Sequence, residues 1–233
     1  MTQTWIVHEP FSPTILETKV PDKFIKMINH ASDVVLNDAT KSVKWDFSDS
    51  LVGKVHKEIQ IPFKEEEDAE YCSNILKQAS LDYLKYMIEK NRAFHWNKLT
   101  NNSGVIPSLE NIVLHRSWVV SQYKHEYNPW HTHSGDFSGV IYLKLPEGME
   151  DHFNEETKDH YPASGLIDFK YGEKHDLRND TLMMKPEVGM MMVFPSWLNH
   201  SVYPFYCDGE RRSMSFNSFM KAGEKRVAGV NTI

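Results

Sequence analysis

Asn128-Pro129-Trp130-His131-Thr132-His133-Ser134-Gly135-Asp136-Phe137-Ser138-Gly139-Val140-Ile141-Tyr142-Leu143 is the stretch on which the reading of this chain turns. It sets two histidines two positions apart at the head of a strongly β-forming run. On an extended strand, residues i and i+2 project to one face, so His131 and His133 could grip a single ion together. Farther on, Phe194-Pro-Ser-Trp-Leu-Asn-His200 offers a third imidazole at the end of another β-like run. Three imidazoles on strands, with coordination positions left over, suit a catalytic transition metal.

Downstream of the third histidine comes Arg211-Arg-Ser213-Met-Ser215-Phe-Asn217. On a strand, Arg211, Ser213, Ser215 and Asn217 share one face, while Met214 and Phe216 share the other. A polar face ending in arginine is costly to bury unless it serves something. An anionic ligand fits, because a guanidinium takes a carboxylate in a two-bonded fork and a hydroxyl can sit alongside. If His200 and Arg211 face each other in a hairpin, the turn centres near Phe205-Tyr206. The better turn residues, Asp208-Gly209, come later, and the register stays open.

Around these motifs the second half reads as strands: Ile112 to Tyr123, Ser138 to Leu145, Gly165 to Tyr171, Gly189 to Phe194, Ser201 to Tyr203 and Arg212 to Met220. Gly, Pro, Asn and Asp separate them. The first half is helical and mixed. Residues 4 to 20 read as one or two short strands broken by Pro10 and Pro13. Pro21 opens a helix carrying Phe24, Ile28, Ala31 and Val35 on one stripe. A longer helix, from about Lys64 to Arg92, aligns Cys72, Leu76, Ala79, Tyr83 and Met87. Its acidic opening, Glu65 to Asp68, suits a helix N-terminus better than a cation site. Residues 40 to 63 read as strand and loop. The fold class expected is mostly β with supporting helices, all 233 residues forming one domain. Residues 1–109 form the helical and mixed support, 110–220 the β core and 221–233 a C-terminal tail. The polar stretch from Glu147 to Pro162 reads as a solvated loop or a flap over the site.

Composition narrows the partners. Twenty-six basic against 32 acidic residues give a net charge of −6, which disfavours nucleic acid or an anionic membrane as the main partner. Only Cys72 and Cys207 are present, in no metal or redox spacing, which excludes a disulfide framework and a thiolate zinc site. No signal-peptide pattern and no membrane-length apolar run is visible, so a cytoplasmic setting is expected.

Taken in order, His131-x-His133, Ser138-Gly-Val-Ile-Tyr-Leu, Phe194-Pro-Ser-Trp-Leu-x-His200-Ser-Val and Arg211-x-Ser213-x-Ser-Phe-Asn217 resemble the iron(II)/2-oxoglutarate-dependent oxygenases. Within them, the chain looks like the prolyl-4-hydroxylase-like branch. The stretch from Glu110 through Tyr123 to His131 is similar to the strand and tyrosine that precede the metal motif there. The resemblance spans roughly Glu110 to Asn217. It implies a double-stranded β-helix core, jelly-roll and cupin-like, with N-terminal helices packed on it. It also implies iron(II), 2-oxoglutarate as cosubstrate and O2, with His131 and His200 as metal ligands. Arg211 would bind the distal carboxylate, with Ser213 beside it and Tyr123 as a further candidate. The activity implied is hydroxylation of a C–H bond, of a peptidyl prolyl or other amino-acid residue, in a peptide, protein or small-molecule substrate, with release of succinate and CO2.

One position departs from the family, which usually carries Asp or Glu where this chain has His133. Either three imidazoles hold the metal, or Ser134-Gly135 turns the chain so that Asp136 supplies an oxygen. The first is preferred. Trp130 and Trp197 flank the proposed ligands and are candidates for substrate contact, though packing explains them better. Competing readings are a three-histidine cupin-type enzyme without 2-oxoglutarate, a zinc hydrolase and a non-catalytic β-sandwich. Arg211 and Ser213 argue against the first, which needs no dicarboxylate clamp.

Overall fold

In the computed structural model, residues 12–48, 52–149, 162–222 and 225–226 are described. In chain order the elements are β1 (Leu16–Lys19), α1 (Asp22–Leu36), α2 (Ala39–Lys44), β2 (Lys57–Ile59), α3 (Glu66–Glu89), α4 (Phe94–Leu99), β3 (Ile112–Gln122), β4 (Asn128–His131), β5 (Phe137–Lys144), β6 (Ile167–Lys170), β7 (Thr181–Met184), β8 (Met190–Pro195), β9 (Asn199–Val202), β10 (Arg211–Ala222) and β11 (Lys225–Arg226). The strands form two antiparallel sheets. The larger runs β1-β8-β5-β10-β3-β2, with β11 on the end of β10, and the smaller runs β4-β9-β6-β7.

Alternation along the long strands decides what each face of the larger sheet does. Val119, Ile141, Leu143, Met191, Val193, Met214 and Phe216 project outward and pack with Phe24, Ile28 and Val35 of α1 and Cys72, Leu76 and Leu84 of α3. The opposite set, including Val140, Tyr142, Met192 and Phe194, packs with Ile167 and Phe169 of the smaller sheet. The helices thus seal one face, and the second sheet encloses a cavity on the other. That arrangement is a jelly roll, as expected.

The helices follow from local sequence. On α1 the buried stripe is Phe24, Ile28, Ser32 and Val35, with Ser32 in place of Ala31. Its hydroxyl is satisfied by donating to Ile28 O at 2.7 Å. The first turn of α3 carries Glu66, Glu67 and Asp68 at the positive end of the helix dipole. Two short helices were not anticipated. Asp38 caps α2, accepting from Thr40 N and Lys41 N at 3.0 Å each. In α4, Trp96 is buried and its indole donates to Val105 O at 3.0 Å. Both helices are six residues long, too short for a periodic stripe. The four-residue strand β7 escaped for the same reason.

One topological expectation fails. β9 and β10 do not form a hairpin: β9 pairs with β4 and β6, whereas β10 pairs with β3 and β5. His200 and Arg211 therefore come from opposite sheets and converge across the cavity. Most of the stretch from Glu147 to Pro162 and the proposed tail lie outside the described residues, as does the start of the expected 4–20 strands. Among the described residues, no helix is long and apolar enough to cross a membrane.

Gly139 shows how tightly the larger sheet is packed. A Cβ there would fall on the Phe216 ring and stand 2.9 Å from Met192 O. Gly139→Ala is expected to cost about 1–3 kcal/mol, the usual penalty of overpacking. Thermal denaturation should show the midpoint lowered by several degrees, and an unchanged midpoint would mean the sheet yields there.

Candidate metal centre

His131 ends β4 and pairs directly with His200 on β9, so one antiparallel register brings two of the three imidazoles together. Their ring centroids lie 4.3 Å apart. His133 stands beyond the end of β4, so the simple picture of both histidines on one straight strand does not hold. A stitched turn carries it back instead. Its N–H donates to Ser196 O at 2.9 Å, Ser196 N–H donates to Asp136 O at 3.2 Å, and the Ser196 hydroxyl donates to Gly135 O. Gly135 enables this turn with φ of 116°, and a Cβ there would stand 2.9 Å from Ser218 O. Ser196 went unremarked in the sequence because a lone serine carries no pattern.

The result is a group in which one potential ligand atom from each of His131, His133 and His200 lies within 4.8 Å of the others. The ring of His131 meets Pro129 O through Nδ1 at 2.7 Å, and that of His200 meets Leu198 O at 2.9 Å. A carbonyl only accepts, so Nδ1 carries the proton in both and the Nε2 lone pair is left for an ion. Burial, reinforced by the neighbouring imidazoles, pushes His133 down to about 2 and His200 to about 3, and burial also lowers His131. All three rings are therefore neutral at physiological pH. Phe194 and Phe169 flank His200, with centroids at 4.9 and 5.9 Å, and Trp118 lies 5.6 Å from His133. Three neutral nitrogens converging in a partly apolar pocket fit a divalent transition ion.

Asp136 is not in the group. Its carboxylate accepts from Met220 N–H at 2.8 Å and borders a separate depression beside His95 and Trp96 of α4. The turn at Gly135 does redirect the chain, but it sends Asp136 toward β10 and leaves His133 at the cavity.

The cavity in front of the histidines measures about 170 Å³. Arg211 and Ser213 line it, facing across from the smaller sheet. Arg211 is 1% exposed. Gln122 Oε1 accepts from its Nε and Nη2 at 3.0 and 2.8 Å, while Gly165 O and Tyr203 O accept from Nη1 at 3.0 and 3.2 Å. Gln122 is itself fixed by donating to Asn128 Oδ1 at 2.8 Å. Burial lowers the guanidinium to about 10, so it keeps its charge at neutral pH. No carboxylate among the described residues forms an ion pair with it.

Tyr123 does not reach this cavity. It is 40% exposed and packs edge-on against His56. The tyrosine present is Tyr142, directly opposite Ser213 in the β5–β10 register. Among the described residues its buried hydroxyl has no hydrogen-bond partner, and burial pushes it up to about 12 against the pull of Arg211. An orphaned hydroxyl next to a buried guanidinium with no ion-pair partner among the described residues suits an oxygen-rich anion. Strand parity puts Tyr142 on the face of Ser138 and Val140, a signal that could have found it, but in sequence the residue reads equally as β-forming bulk. Neither Trp130 nor Trp197 lines the cavity. They are 42% and 55% exposed, and Trp197 packs against Tyr171 with centroids at 5.7 Å.

Residues 116–217 match the family described as "Putative 2OG-Fe(II) oxygenase", and the match includes all three histidines, Tyr142, Arg211 and Ser213. No curated protein matches the chain. Among solved structures, AviO1 from Streptomyces viridochromogenes is similar at TM-score 0.52 and 12% identity, covering 93% of both chains. A prolyl-4-hydroxylase from Pseudomonas putida aligns at TM-score 0.46 and 15% identity, over 91% of this chain and 94% of that one. A prolyl hydroxylase from Trichoplax adhaerens, solved with a hypoxia inducible factor peptide fragment, aligns at 0.49 and 14%, over 89% and 83%.

Proposed function

We propose that this chain, whose residues 116–217 match the "Putative 2OG-Fe(II) oxygenase" family, is an iron(II)- and 2-oxoglutarate-dependent dioxygenase that hydroxylates a C–H bond of an amino-acid residue, prolyl or other. The observation that carries this reading is the placing of a three-histidine group and an uncompensated, fully buried arginine in one cavity. His131, His133 and His200 would hold the iron. When bound, iron and 2-oxoglutarate supply an oxidation in which O2 gives one oxygen atom to succinate, formed with CO2, and the other to the substrate carbon.

The protein's own contributions follow from the geometry. Pro129 O and Leu198 O fix the imidazole planes of His131 and His200 so that Nε2 faces inward. Arg211, aimed by Gln122 and two carbonyls, offers its remaining N–H capacity to a carboxylate, and the Tyr142 and Ser213 hydroxyls stand beside it. Because three imidazoles bring no negative charge, a dianionic cosubstrate is the natural complement of a divalent ion in this pocket. A cupin-type oxidation without cosubstrate would leave the Arg211 charge buried to no purpose.

The test is anaerobic loading with manganese(II), a redox-inert stand-in, followed by 2-oxoglutarate. The thermal midpoint should rise with the metal and rise again with the cosubstrate. Iron(II) and O2 should then yield succinate. Absence of both the second rise and succinate would remove 2-oxoglutarate from the account.

A further inference from the structure

Beside Tyr142, Ser213 and Val120, the same row of side chains ends on a residue the proposed chemistry does not use. The registers place Tyr142 opposite Ser213, Ser213 opposite Val120, and Val120 opposite Glu58 on β2. All four line the cavity. Glu58 lies two strand spacings from Ser213, roughly 10 Å across the sheet. Its side chain therefore faces the cavity from the edge away from the Arg211 end. The residue is 2% exposed, yet its carboxyl has no hydrogen-bond or ion-pair partner among the described residues. Only its backbone is engaged: its N–H donates to Ser48 Oγ at 3.3 Å, and its carbonyl accepts from Phe47 N–H.

The charged neighbours do not neutralise it. Asp46 adds negative charge, and Lys57 on the opposite face of β2 is already paired with Asp46. Arg116 also lines the cavity, but it sits four residues along β3 from Val120, about 13 Å away. There its guanidinium lies over the Phe47 ring, 5.8 Å from the centroid. Burial, with Asp46 as a further cause, pushes the Glu58 carboxyl up to about 8.

We infer that Glu58 anchors the substrate, and that the substrate is an amino-acid derivative or peptide carrying an ammonium or guanidinium group. A glutamine would satisfy a neutral polar group at lower desolvation cost, so a carboxyl at this position earns its place only through its charge. Pairing with a cation would restore the ionised form and give the desolvated oxygens their partners. Because the cosubstrate end and Glu58 lie at opposite ends of one row, a substrate held by its cation would present its carbon chain across Val120. This inference rests on the dioxygenase reading.

The experiment measures calorimetric binding of short capped peptides to the manganese(II)- and 2-oxoglutarate-loaded protein. The probes pair lysine with norleucine and arginine with citrulline at one position. The parent protein should bind a cationic peptide at least about tenfold more tightly than its neutral isostere, the value of a charge-assisted hydrogen bond. In Glu58→Gln, which keeps the shape and removes the charge, that ratio should fall to about one. The thermal midpoint of the variant reports whether it folds, and the parent's own selectivity needs no variant. Equal affinity for charged and neutral peptides, or selectivity surviving in Glu58→Gln, overturns the inference and leaves the dioxygenase reading standing. Failure of the parent to bind 2-oxoglutarate at all overturns both.

Discussion

His200→Ala is expected to abolish iron(II) binding and to lower succinate formation by more than about 100-fold, because outer-shell changes at metal sites alone cost about 10–100-fold. The ring is 4% exposed and packed against Phe169 and Phe194, and Leu198 O fixes its Nδ1. The complementary change is His133→Asp. Exchanging a neutral imidazole for a carboxylate adds a negative charge facing a divalent ion, so iron(II) affinity should rise. An anaerobic iron titration reads both variants, which should move in opposite directions. If His133→Asp leaves affinity unchanged, charge at the third position does not govern this site. Loss of iron on Asp136→Asn would instead return the carboxylate to the coordination shell.

The contrast between His133 and Asp136 also shows what the sequence could and could not carry. Strand parity separated Arg211, Ser213, Ser215 and Asn217 from Met214 and Phe216, and the structure divides them the same way: the first four line the cavity, the last two join the helix-side core. Periodicity also placed α1 and α3, because each is long enough to repeat its apolar stripe. What stayed hidden depends on contacts between distant segments. Ser196 stitches the turn after His133, Gln122 aims Arg211, and Glu58 reaches the cavity from a three-residue strand. Each acts through a partner more than 50 positions away, which no local pattern reports. Tyr123 and Tyr142 make the same point, since only the β5–β10 register distinguishes the tyrosine in the cavity from the one outside it.

Arg211→Met should uncouple cosubstrate binding from metal binding. Removing one partner of a buried charge-assisted pair costs about 2–5 kcal/mol, a loss of roughly 30-fold to several thousandfold in 2-oxoglutarate affinity. Arg211→Lys should fall between parent and Met, because an ammonium keeps the charge but loses the planar fork that Gln122 and the carbonyls of Gly165 and Tyr203 hold in place. Stability in the absence of ligand responds to two opposed effects. Methionine relieves the desolvated charge, but it strands three acceptors at about 1–3 kcal/mol each. The decisive readout is therefore the order of losses. Arg211→Met should keep the rise in thermal midpoint given by manganese(II) and lose the further rise given by 2-oxoglutarate, whereas His200→Ala loses both. If Arg211→Met kept the second rise, the dicarboxylate would be held elsewhere, and the buried guanidinium would be a structural cation between the two sheets.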